Sequence, residues 1–211
     1  MRRGSGHDLC RGAFVFRGRH VAHWHVSPFA TVIRVRNAVI VLNGASSSGK
    51  SSIRVELQRL LRRPFLAFGV DTLVAALPGS PTRAPGIVFG SDGVVAVDDR
   101  FRQLEHAWYE GLAAIARDGV GVIIDEVFLG GRESQDRLRF ALVGLHVVWV
   151  GVHCDLDVAV AREAARSDRT QGMAASQALI VHEGVQYDLH VDTTSNTAFE
   201  CATTIATHVD R

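Results

Sequence analysis

The chain has 211 residues, 47% of them hydrophobic and 21% charged, with a formal net charge of +1. That composition excludes a wholly disordered chain, and no apolar run reaches the ~18–20 residues that a membrane-spanning helix needs, so no membrane association is expected. The near-neutral charge sums two unlike parts: residues 1–36 hold seven arginines and one acid, Asp8, for a net +6, and residues 37–211 carry a net −5. A mildly acidic body argues against nonspecific nucleic-acid binding, and no nucleic-acid partner is expected. Cys10, Cys154 and Cys201 are too widely spaced for a disulfide framework or a metal knuckle, which points to a reduced, cytoplasmic protein.

Residues 1–36 mix Gly, Arg and His without a period of 2 or 3.6. They read as a basic leader, disordered or upstream of the true start codon. Its apolar patch, Ala13–Phe16, is too short for a secretory signal. His20, His23 and His25 have no second ligand set nearby and are not read as a metal site. The fold is expected to begin near Arg36, with one domain over 37–211.

From there apolar runs and helical patterns alternate. Ala38–Leu42 is a continuous apolar run, as in a strand buried on both faces of a parallel sheet. Gly44–Gly49 is a loop, and Lys50–Arg62 an amphipathic helix with Ile53, Leu57, Leu60 and Leu61 on one face. Phe65–Val70 is a second strand, followed by Asp71 as N-cap of a short helix, Thr72–Leu77. Pro78–Pro85 is a loop with three prolines, and Ile87–Val97 a hairpin turning at Ser91-Asp92-Gly93. Phe101–Ala116 is helical, Val120–Ile124 a buried strand ending at Asp125, Arg132–Val143 a helix and His146–Val152 a strand. Asp155–Ser167 and Met173–His182 are helices, Asp188–Asp192 the last strand and Ala198–His208 the last helix. The alternation predicts an α/β fold, a parallel sheet flanked by helices.

Gly44-Ala45-Ser46-Ser47-Ser48-Gly49-Lys50-Ser51 fits the phosphate-loop pattern G-x-x-x-x-G-K-[ST], directly after a strand and opening a helix. Glycines let backbone N–H groups wind around phosphate oxygens at a helix N-terminus. Lys50 is expected to place its charge on the β- and γ-phosphates of ATP, and Ser51 to supply an oxygen to Mg²⁺. Lys50 is also the only lysine; the other 22 basic residues are arginine. An arginine fork does not reproduce a compact ammonium.

Ligands of an open parallel sheet bind beyond the C-terminal strand ends, where Asp71 and Asp125 both fall. Asp125 suits a Mg²⁺ carboxylate, with Glu126 as its competitor and a helix cap or salt bridge as the plainer reading. Asp71 could accept the proton of an attacking hydroxyl or simply cap a helix. Arg162, Arg166 and Arg169 fall on or just past one late helix, with Arg162 and Arg166 sharing a face. They suit a mobile lid that neutralises charge developing in phosphoryl transfer, or a solvated face paired with Glu163 and Asp168.

Ile40–Ser51, Leu66–Leu73 (LAFGVDTL), Ile123–Gly131 (IIDEVFLGG), Val148–Asp155 and the GMA, VHEGVQYD and VDTT segments within Arg162–Thr194 resemble the chloramphenicol 3-O-phosphotransferases. The resemblance spans residues 37–209 and implies a P-loop kinase-like fold with a small lid. It places Asp71 at the family's general base, Gly44–Ser51 at the ATP loop, Arg166 and Arg169 at lid arginines and Asp125 at an acid near the site. The leader has no counterpart, and residues 79–100 are less alike. The expected activity is ATP- and Mg²⁺-dependent phosphorylation of a small-molecule hydroxyl, of chloramphenicol or a related antibiotic. The alternatives are a kinase of another metabolite, or a nucleotide-dependent regulatory or RNA-binding module using the arginine leader as an arm. Oligomeric state is left open, a homo-oligomer included.

Overall fold

The computed structural model describes residues 38–78, 85–90, 92–166 and 171–210. The leader and its histidines lie outside the described residues, as do most of the Pro78–Pro85 loop and Arg169.

Five parallel strands form the central sheet. In chain order the elements are β1 (Ala38–Asn43), α1 (Lys50–Leu60), β2 (Phe65–Gly69), α2 (Val70–Ala76), β3 (Ile87–Phe89), β4 (Val95–Val97) and α3 (Asp99–Arg117). Then come β5 (Gly121–Glu126), α4 (Arg132–Ala141), β6 (His146–His153), α5 (Leu156–Ala164), α6 (Met173–Gln177), β7 (Leu189–Asp192) and α7 (Ala198–Val209). The sheet order is β2-β5-β1-β6-β7, and β3 and β4 make a separate antiparallel hairpin.

The period of 2 along β1 explains its unbroken apolar run. Ile40 and Leu42 pack with Ile53 and Leu57 of α1 and Cys201 and Ile205 of α7. Val39 and Val41 turn to the opposite layer, with Tyr109, Leu112 and Ala113 of α3 and Leu138 of α4. Every residue from Val39 to Leu42 is fully buried, as the central strand of a two-faced parallel sheet requires. A third, smaller cluster joins Leu73 of α2, Ile87 of the hairpin and Phe101 of α3.

Three local readings change. The expected N-cap at Asp71 is two residues late: α2 starts at Val70 with Gly69 as N-cap, so Asp71 lies inside the first turn. Thr72 Oγ1 accepts from the Gly69 N–H at 3.3 Å and fixes that start. β5 runs on through Asp125 and Glu126 instead of stopping before them. The single helix expected over Met173–His182 is broken into α6 and a short 3₁₀ turn, Ile180–His182. There Asn43 Nδ2 donates to the Val181 carbonyl at 2.7 Å, tying the short turn to the end of β1.

Register brings the functional ends level. Leu42 pairs with Asp125 and Asn43 with Glu126 across β1 and β5, while Gly69 pairs with Asp125 across β2 and β5. The loop after β1, the start of α2 and the two acids of β5 therefore share one edge of the sheet.

Candidate active site

A cleft of about 1360 Å³ opens at that edge, lined by the phosphate loop, Asp71, Asp125, Glu126, the hairpin and α3. Gly49 is the left-handed N-cap of α1, with φ of 88°, a conformation that strains any residue with a Cβ. Ser47 also has positive φ, 60°. Lys50 is 7% exposed, and its Nζ donates to the Gly44 and Ala45 carbonyls at 2.7 Å each. The hydroxyls of Ser46, Ser47 and Ser48 are buried without a hydrogen-bond partner. Buried donors are rarely left unmade, so a cradle of orphan hydroxyls beneath a helix N-terminus fits a bound polyphosphate.

Ser51 Oγ donates to Asp125 Oδ2 at 3.1 Å, joining the end of the loop to the end of β5. Burial pushes the Asp125 carboxyl above its ordinary range, while Lys50, Arg54 and the Ser51 hydroxyl pull it down. These oxygens are the donor set of a hard divalent cation. No cluster of three or more His, Cys, Asp or Glu could hold a metal among the described residues. A cation here would thus complete its shell with phosphate oxygens and water.

Asp71 is exposed and lines the cleft, as does Arg166 at the end of α5. Arg162 lines the same cleft and is anchored there: it donates to Thr193 Oγ1 at 3.1 Å, to the Thr193 carbonyl at 2.7 Å and to Cys154 Sγ at 3.3 Å. Thr193 Oγ1 in turn donates to the Ser48 carbonyl at 2.8 Å, so Arg162 braces the phosphate loop through β7. Among the described residues, Glu163 makes no ion pair with Arg162. Glu163 is 2% exposed and accepts from the Gly172 and Ala174 N–H groups at 2.8 and 2.9 Å, setting the start of α6. From α6, Gln177 Oε1 accepts the Ser46 N–H at 2.8 Å.

Beyond Asp71 the cleft changes character. Val74, Ile87, Phe89, Val95, Val97 and Phe101 give it apolar walls. At its back stand two buried acids, Glu105 of α3 and Glu126 of β5. Arg102 donates to both oxygens of Glu105 at 2.9 and 3.0 Å, and Arg137 to Oε2 at 2.9 Å. Glu126 is 2% exposed, and its Oε1 has no partner. Burial first, then the charges of Glu105 and Asp125, push its carboxyl up to about 8. Because β5 alternates, Asp125 faces the phosphate loop while Glu126 faces the α3 layer, which separates the two candidates for one metal role.

Sequence reading missed Glu105, Gln177, Thr193 and Arg54 as parts of this site. Only Glu105 carried a local signal: it lies midway between Phe101 and Tyr109, an acid on the buried stripe of α3.

A family model described as chloramphenicol phosphotransferase-like protein matches residues 37–210. A Mycobacterium tuberculosis protein, provisionally named an O-phosphotransferase, is 29% identical over 177 residues, 78% of each chain. Among solved structures, a gluconokinase from Sinorhizobium meliloti superposes with a TM-score of 0.58 at 22% identity, over 83% of this chain and 93% of that one. The APS kinase of Mycobacterium tuberculosis gives 0.55 at 16% identity, over 83% and 99%. The fold is that of the P-loop kinases.

Proposed function

Since the chain belongs to the chloramphenicol phosphotransferase-like family and is a small-molecule kinase, we propose that it transfers the γ-phosphoryl group of Mg²⁺-ATP to a hydroxyl of chloramphenicol or a related antibiotic. The observation that carries this reading is one cleft holding a phosphate loop with orphan hydroxyls, the Ser51–Asp125 pair and Asp71. Gly44–Ser51 and Lys50 bind the phosphates, and Ser51 and Asp125 hold the cation. When bound, the cation draws charge from the phosphate oxygens during transfer. Asp71 orients the acceptor hydroxyl and takes its proton as the oxygen attacks phosphorus. Lys50 and the lid arginines, Arg166 and Arg169, hold the charge that grows on the transferred group. The apolar walls exclude water, so the acceptor hydroxyl is favoured over hydrolysis.

The test is mass spectrometry of chloramphenicol after incubation with protein and Mg²⁺-ATP, beside ADP release with a panel of other hydroxylated acceptors. The expected result is an acceptor heavier by one phosphoryl group, with Asp71→Asn slower by about 10²–10⁴-fold. Acceptor-dependent ADP release at equal rates in wild type and Asp71→Asn removes Asp71 from the base role. Transfer to another acceptor but not to chloramphenicol reassigns the substrate.

A further inference from the structure

Among the described residues, six buried side-chain atoms lack a hydrogen-bond partner. Four of them belong to residues lining the one cleft: the hydroxyls of Ser46, Ser47 and Ser48, and Glu126 Oε1. The other two, Trp108 Nε1 and Arg139 Nε, belong to residues outside that lining. The serines are accounted for by the phosphates. Glu126 cannot share that role, because its strand position turns it to the α3 side of the sheet.

The protein satisfies Glu126 only in part: the Val127 backbone N–H donates to its carboxylate, and Oε1 has no partner among the described residues. The two nearby guanidinium groups, of Arg102 and Arg137, are already committed to Glu105 at 2.9–3.0 Å. What remains is one free carboxyl oxygen beside the committed Glu105 network, in a cleft whose apolar walls are Ile87, Phe89, Val95, Val97 and Phe101, close enough to Asp71 and Asp125 for their charges to act on it. An apolar slot with a single buried acceptor is how a protein fixes the orientation of a mostly apolar ligand.

We propose that Glu126 is a specificity-determining residue: its free carboxyl oxygen accepts a hydrogen bond from a second O–H or N–H group of the acceptor, whose apolar body lies along the hairpin and whose reacting hydroxyl faces Asp71. Glu105 is the positioning residue, keeping Arg102 and Arg137 from turning to Glu126. The acceptor class is therefore a mostly apolar molecule with at least two hydrogen-bond donors, one phosphorylated and one held. The assignment rests on the kinase reading above.

The experiment compares wild type, Glu126→Gln and Glu126→Leu with chloramphenicol as probe, reading KM for the acceptor, KM for ATP and the melting temperature. Gln keeps a side-chain oxygen acceptor, so its acceptor KM is expected within about threefold of wild type, whereas Leu raises it roughly tenfold or more. The ATP KM stays within about twofold in both, since Glu126 faces away from the phosphate loop. If the Leu variant melts below assay temperature, Glu126→Ala is read in its place. An unmoved acceptor KM in the Leu variant overturns the proposal. So do equal rises in Gln and Leu, or parallel rises in both KM values, which mark a merely structural role. Phosphoryl transfer by wild type decides the kinase reading separately. Transfer with an unmoved Leu variant sinks Glu126 alone, and no transfer and no chloramphenicol binding by wild type sinks both.

Discussion

At the phosphate-loop end of the cleft, eight consecutive residues, Gly44–Ser51, supply the backbone cradle, three hydroxyls, the lysine and the oxygen that meets Asp125. At the hairpin end, no two neighbours in sequence do comparable work. The walls come from α2, β3, β4 and α3, and the polar back from Glu105, Glu126 and the guanidinium of Arg137 on α4. The first end is local chemistry repeated wherever a phosphate must be held by backbone. The second is a long-range assembly, and its side chains serve both stability and recognition.

The comparison predicts that mutations at the two ends fail differently. Lys50→Arg is expected to cut turnover by about 10²–10³-fold, because the planar fork does not replace the ammonium at the developing charge. Its melting temperature should stay near wild type. Near-normal turnover in that variant would break the contrast at its strongest point.

Glu105→Ala is expected to do the reverse. It leaves two guanidinium groups, each about a third exposed, without their carboxylate. Allowing for that exposure, the cost is about 1–3 kcal/mol of folding free energy. Chemical denaturation should show it, with the ATP KM unmoved. A fully stable variant would mean the hairpin end is not held by this network.

Glu126 adds a pH signature. Its carboxyl is pushed up to about 8 from an ordinary 4.5, so between those values the folded chain keeps a proton that the unfolded chain has released. The stability from this group is present in full below about 4.5, falls as pH rises, and is gone above about 8. Relative to Glu126→Gln, wild type should lose stability across that window by at most about 1.4 kcal/mol per pH unit. Melting curves in chelator at half-unit steps would read it, and a flat difference means the carboxyl is already ionised.

The smallest effect on stability lies at the start of α7, where Thr197 also lines the cleft. Thr197 Oγ1 accepts from the Glu200 N–H at 3.2 Å in the capping box of α7. Thr197→Ala should cost about 1 kcal/mol, lowering the melting temperature by roughly 2–4 °C, and an unchanged melting temperature would mean the cap contributes nothing.

The same contrast explains what could be read before any coordinates. The strand and helix order follows from hydrophobic period alone, because β1 and β5 are buried on both faces and α1 on one. The phosphate loop is legible because its residue types are contiguous. Asp125 and Asp71 are legible as strand-end acids, although Asp71 sits in a first turn and not at a cap. Helical spacing puts Arg162 and Arg166 on one face, and both line the cleft, but it does not show that Arg162 is held by Thr193, 31 residues on. Gln177 lies 131 residues from the Ser46 N–H that it accepts, a distance no local pattern spans. Glu126 can be noticed in sequence, but its isolation depends on where Arg102 and Arg137 spend their donors.

The hairpin tip carries one further implication. A Cβ on Gly93, whose φ is 79°, would come within 2.4 Å of the Gly172 carbonyl carbon, and Ser176 Oγ donates to the Gly93 carbonyl at 3.1 Å. At the very next residue, α6 reaches the phosphate loop through Gln177 and Ser46. Backbone thus rests on backbone where the hairpin meets α6, leaving no slack for a longer turn. Divergence toward new acceptors is channelled into side-chain exchange along β3 and β4, because an insertion at the tip would be transmitted to the machinery that handles every substrate alike.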